Sequence, residues 1–126
     1  MKKSLRSLLL LTMTSIGTAL VLAPPAGADV PTPAAPSDLR ANYQFPNRIA
    51  VTWLDNSDNE TGFVVERGRG FGCTNFTEIA RVGADVITFH DGRVVRGSAS
   101  CYRVRAVNAA GASAFSNTGT VYVPPR

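Results

Sequence analysis

Tyr102-Arg103-Val104-Arg105-Ala106-Val107-Asn108 decides how this chain is to be read. Tyr102, Val104 and Ala106 fall at alternate positions, with Arg103, Arg105 and Val107 between them, which is the period of a strand with one buried face. A helix would need its apolar residues three and four apart. The period of two returns upstream in short blocks. Ile49, Val51 and Trp53 share one face, with Ala50 and Thr52 opposite; Phe63 and Val65 share another, with Val64 and Glu66 opposite; Ile87 and Phe89 form a further pair. Clusters of Asn, Asp and Gly separate the blocks, as turns require. No stretch downstream of residue 28 carries a helical stripe. The pattern predicts an all-β, antiparallel sandwich in which each sheet turns one face to the core and the other to water.

The first residues read differently. Met1-Lys2-Lys3-Ser4-Leu5-Arg6 is basic, and Leu8 to Leu22 is an apolar run broken only by Ser, Thr and Gly. That run is short for a bilayer span. Ala26-Gly27-Ala28 then presents the small residues that a signal peptidase accepts, after Pro24-Pro25. Residues 1–28 are therefore expected to be a cleavable signal peptide, with Asp29 as the mature N-terminus and no stable membrane anchor left behind. Residues 29–36 are rich in Pro and Ala and form an extended lead-in. Residues 37–123 make the domain, and residues 124–126 a C-terminal tail.

Removing the leader changes the charge. Lys2, Lys3 and Arg6 account for three of the 13 basic side chains, so 10 face the 9 acidic ones, and a chain so nearly neutral has no general attraction for nucleic acid. Every remaining cation is an arginine, which favours planar, multidentate pairing.

The blocks carry a resemblance. Ala35-Pro36-Ser37-Asp38-Leu39, Ile49-Ala50-Val51-Thr52-Trp53, Gly62-Phe63-Val64-Val65-Glu66-Arg67 and Tyr102 to Asn108 resemble, in order, strands A, B, C and F of fibronectin type III domains. Asn108-Ala109-Ala110-Gly111-Ala112-Ser113 resembles the turn between strands F and G. Trp53-Leu54-Asp55-Asn56-Ser57 with Glu60-Thr61-Gly62-Phe63 resembles bacterial members. The resemblance spans about residues 36–123 and implies a seven-stranded, immunoglobulin-like sandwich. Its expected core is Trp53, Phe63, Val65, Tyr102 and Val104, with Val94 the buried aliphatic of the E–F loop. Gly62 and Gly97 are expected where the backbone takes an angle awkward for other residues. The family's corner tyrosine would fall on Ser100, so other bracing is expected there.

An even cysteine count in an exported chain favours a disulfide. Strands C, C′ and F share a sheet in the resembled family, which implies that Cys73 and Cys101 meet on its outer surface. Two cysteines and one histidine make no metal-ligand set.

No catalytic constellation is legible. His90 and Asp91 are neighbours on a strand and point to opposite faces, and no Gly-x-Ser-x-Gly elbow supplies a nucleophile. Asp55, Asp58 and Glu60 lack the glycine and the glutamate spacing of a calcium loop. Neither an enzyme nor a cofactor is expected. What remains is a secreted module, extracellular or periplasmic and monomeric, that contacts an extracellular protein or glycan. Its candidate contact residues are Arg69 and Phe71, in the glycine-rich loop Gly68 to Gly72, with Arg103 and Arg105 nearby. The commoner use of such arginines is cross-strand pairing, here with Glu66 or Glu78. The alternative is an accessory domain acting beside a separate hydrolase in extracellular polymer degradation.

Overall fold

The computed structural model describes residues 30–126. The expected leader over residues 1–28 and the Asp29 start lie outside them. Eight strands follow in chain order: β1 (Ser37–Gln44), β2 (Arg48–Leu54), β3 (Gly62–Arg69), β4 (Thr74–Gly83), β5 (Thr88–Asp91), β6 (Ser98–Asn108), β7 (Gly111–Ala112) and β8 (Gly119–Val123). They form two antiparallel sheets, β1-β2-β5 and β4-β3-β6, with β7 and β8 both pairing with β6.

The count of eight rather than seven has a local cause. β7 and β8 are two pieces of one edge strand. Between them the Ser113 and Ser116 N–H groups still donate to the carbonyls of Ala106 and Val104 (both 2.8 Å), but the return bonds go to side chains: the serine Oγ atoms accept from the N–H of Ala106 (2.9 Å) and Val104 (3.0 Å). Asn117 does the same toward β1. Its side-chain amide donates to the carbonyl of Leu39 (3.0 Å) and accepts from the N–H of Leu39 (2.8 Å), so one side chain ties the two sheets at this edge.

The core lies between the sheets. Ile49, Val51 and Trp53 from β2 meet Phe63 and Val65 from β3 and Tyr102, Val104 and Ala106 from β6. All are buried, as the period of two requires. Trp53 packs obliquely on Phe63, with ring centroids 5.6 Å apart and planes at 59°, an orientation aromatic quadrupoles favour. Val94 is only half-buried and packs at the margin. Ile87 departs from expectation. It precedes β5 and is exposed, its carbonyl accepting from the Trp53 N–H (3.1 Å), while Phe89 alone turns to the core. Val64 departs in the other direction. Although it faces outward, it is fully buried, because its register partners Arg81 and Arg105 flank it with long aliphatic stems.

Gly97 has the expected positive φ (+73°). Gly62 does not. It is needed for closeness: a Cβ there would sit 2.5 Å from the carbonyl oxygen of Val82.

The corner bracing is also supplied differently. Tyr102 itself reaches back to the start of the β5–β6 connection, where its hydroxyl donates to Asp91 Oδ2 (2.6 Å). Arg67 Nη1 donates to the same oxygen (2.6 Å), and the Arg93 N–H donates to Asp91 Oδ1 (2.9 Å). Asp91 is thus a turn former and, at the same time, a buried carboxylate joining β3, β5 and β6. Burial alone would raise its pKa, but these three bonds outweigh burial and hold it below its ordinary value. Burial first, and then the bond to Asp91, push the Tyr102 hydroxyl well above its ordinary range.

Candidate interaction surface

The loop after β3 is short and tightly held at both ends. Gly70 takes φ +73°, Cys73 takes φ +54°, and the Cys73 N–H donates to the Gly70 carbonyl (3.2 Å), closing a turn with Phe71 at its tip. The Gly70 N–H donates to the Ala99 carbonyl (3.0 Å), anchoring the loop to β6. Cys73 and Cys101 form a disulfide, their Cα atoms 5.6 Å apart. Thr120 Oγ1 lies 3.4 Å from both sulfurs, so the bridge rests on β8.

Phe71 is 73% exposed. It lies nearly parallel to the Tyr122 ring of β8, centroids 6.0 Å apart and planes at 14°. The pair forms an aromatic platform fixed by the disulfide on one side and by the β6–β8 ladder on the other. Arg69 is exposed at the end of β3, where it pairs with Ser100 of β6.

Arg103 and Arg105 lie farther along the outer face of the larger sheet, beyond the disulfide. Arg103 is already engaged. Its guanidinium donates to Glu66 Oε1 through Nε (2.9 Å) and Nη2 (2.8 Å), and lies between the rings of Phe76 (4.1 Å) and Phe115 (3.8 Å). Arg105 also lies over the Phe115 ring (4.7 Å), and its buried Nε has no hydrogen-bond partner. Glu78 pairs with Arg81 rather than with Arg105. The outer face therefore carries an arginine–aromatic stack, a use of Phe76 and Phe115 that period-two reading does not reveal.

At the opposite end, Asp55, Glu60 and Asp85 bring carboxylate oxygens within 4.8 Å of one another. Asp58 is not in this group; Asp85 enters it from the β4–β5 turn. The Asp85 N–H donates to Glu60 Oε2 (3.1 Å), and the Ser57 N–H donates to Asp55 Oδ1 (2.9 Å). Burial, and then the bond and charge of Glu60, raise the Asp55 carboxyl. Burial also acts to raise Glu60, yet backbone N–H donors bring it below its ordinary value. His90 is exposed, and Asp91 is committed to Tyr102 and Arg67, so the two do not act together. No helix among the described residues is long and apolar enough to cross a membrane.

No protein-family model matches the chain, and no curated protein matches its sequence. Solved structures do match. A crystal structure of domains from titin superposes with a TM-score of 0.65 at 16% identity, over 74% of this chain and 32% of that one. An Fn3-like protein from Clostridium thermocellum superposes with a TM-score of 0.63 at 24% identity, over 76% of this chain and 98% of that one. Pectate lyase Pel3 from Pectobacterium carotovorum superposes with a TM-score of 0.61 at 20% identity, over 72% of this chain and 27% of that one. The chain thus spans about a third of the titin structure's length and nearly all of the clostridial protein's. At these identities the likeness shows the fold, which is that of fibronectin type III domains.

Proposed function

We propose that this fibronectin type III fold works as a non-catalytic interaction module outside the cytoplasm, contacting a protein or glycan through the Phe71–Tyr122 platform and Arg69. The observation that carries the reading is the Phe71 ring, largely exposed yet held in place by Tyr122 and by a disulfide two residues away. An exposed aromatic on a restrained backbone loses little conformational entropy when it binds, and aromatic and arginine side chains are those that dominate contact energies. The disulfide and the basic, apolar N-terminal sequence support an exported protein.

Arg69→Ser combined with Phe71→Ser tests the reading. Neither side chain contributes to the core, so thermal stability should stay unchanged while partners recovered from culture supernatant are lost. A double variant that still recovers them, or that unfolds, removes the platform from the function. The likeness to a pectate lyase structure favours a second reading, an accessory domain beside a separate polymer-degrading enzyme. Recovery of such an enzyme as the partner would distinguish it.

A further inference from the structure

Most formal charges that lack an opposite partner are sorted to the two ends of this molecule; Arg105, which has no ion pair and lies over Phe115 on the outer face of β6, stands apart from both. Among the described residues, Asp38, Glu66, Glu78 and Asp91 are ion-paired with Arg40, Arg103, Arg81 and Arg67. The other four side-chain carboxylates, Asp55, Asp58, Glu60 and Asp85, all lie in the β2–β3 and β4–β5 connections. The register puts both connections at one end: Leu54 of β2 pairs with Ser37, and Gly62 of β3 pairs with Gly83. Arg48, Arg69, Arg93 and Arg96 have no carboxylate partner and lie at the other end. Arg48 follows the β1–β2 turn, Arg69 pairs with Ser100, and Arg93 and Arg96 lie in the connection between β5 and β6.

Exposed apolar side chains follow the same division. Phe45, Phe71, Val95 and Tyr122 are at the basic end, and Val30, Leu54 and Ile87 at the acidic end. Arg96 joins parts of the basic end by donating to the carbonyls of Pro46 and Pro124 and lying over the Tyr43 ring.

We propose that the occupant of the basic end is the acidic end of a second copy of this chain, so that molecules associate head to tail. This rests on the interaction-module reading and names its partner, in place of the monomer expected from sequence. An acidic polymer would account for the arginines but leave the gathered carboxylates and their apolar neighbours without a role. A second copy accounts for both ends. Because the joined surfaces differ, the contact is heterologous and each added copy leaves one end of each kind free. Of the four carboxylates only Asp58 and Asp85 are exposed, so the contact is a weak one that salt screens.

Sedimentation velocity of the purified chain tests this at about 0.01 M ionic strength, where charges are felt over about 30 Å, and at about 1 M, where they are felt over about 3 Å. Average mass should rise with concentration at low salt and fall to that of one chain at high salt. Arg48→Glu, Arg69→Glu and Arg93→Glu together disable the basic end; Asp58→Lys with Asp85→Asn disables the acidic end while suiting the positive φ of residue 85 (+63°). All five positions are exposed, and circular dichroism checks that both variants remain folded. Each variant alone should be a monomer, and an equal mixture should associate, since each retains the end that the other lacks. A wild type that is monomeric at low salt, association that ignores salt or either variant, or a mixture that stays monomeric would each overturn the proposal. A monomeric wild type retained by immobilised polygalacturonate through the three arginines would overturn it too, assigning the basic end to an acidic polymer. A monomeric wild type that still loses its supernatant partners on Arg69→Ser with Phe71→Ser would reject self-association alone. Partners kept by that double variant would reject the contact surface itself.

Discussion

Trp53 and Asp91 bear on stability in opposite ways, one by filling space and one by satisfying charge. Trp53 is buried against Phe63 and its indole N–H has no partner, so its value is packing alone. Trp53→Ala should lower stability by about 3 to 5 kcal/mol, and Trp53→Phe by less, since the orphan donor leaves with the lost volume. Denaturant titration ranks the two; equal losses would show that the space Trp53 fills is not what matters. Asp91→Ala strands the buried Arg67 guanidinium and should cost about 3 to 5 kcal/mol. Tyr102→Phe leaves Arg67 and the Arg93 N–H in place and should cost about 1.5 to 3 kcal/mol. The pH dependence has two edges. The folded-state pKa of Asp91 is lowered, so its contribution is present above the unfolded value of about 4 and is lost as pH falls through the folded one. That of Tyr102 is raised, so its contribution is complete below about 10 and is lost as pH rises beyond it. Melting temperature should therefore plateau between these limits and fall outside them, and the alkaline fall should vanish in Tyr102→Phe. Tyr102 was legible as a core residue, but its hydroxyl's partner was not, because Asp91 reads locally as a turn residue.

At the scale of elements, the β3–β4 loop and the split edge strand show how far local patterning reaches. The disulfide closes a separation of 28 residues, and cross-linking a loop of that size is worth about 3 to 4 kcal/mol through the unfolded chain. Thiol titration under denaturing conditions should find no free cysteine. Replacing Cys73 and Cys101 with Ser should lower the melting temperature while keeping the fold, since the core between the sheets does not depend on the bridge. Loss of all structure would make the bridge, and not the core, the fold's mainstay. Asn117→Ala should free the Leu39 amide, which hydrogen exchange at that position would read as faster opening. An unchanged rate would mean that the β1–β8 edge is held by packing. The strands were legible because a period of two survives in any context. The interruption of the last strand was not, since Ser113, Ser116 and Asn117 read as turn formers and only the neighbouring backbone turns them into substitutes for a ladder.

Over the whole molecule, near-neutral net charge conceals a separation of charge. Intact-mass measurement of exported protein should find Asp29 as the first residue; a mass that retains residues 1–28 would overturn both the leader and the near-neutral balance derived from it. What the sequence by itself determined is the class of fold, the inward faces of the main strands and the pairing of its two cysteines. The first two depend on alternation and order along the chain, and the pairing on an even count together with the strand adjacency that the family resemblance implied. The tertiary structure alone decided which arginines are spent on aromatic rings and carboxylates and which are free. It also brought Asp85 to Asp55 and Glu60, Phe71 onto Tyr122, and Tyr102 onto Asp91. The physical reason is that strand register relates residues tens of positions apart. A hydrophobic pattern specifies which face of a strand is buried, whereas a charge or an aromatic ring acquires its role from whatever the neighbouring strand places beside it.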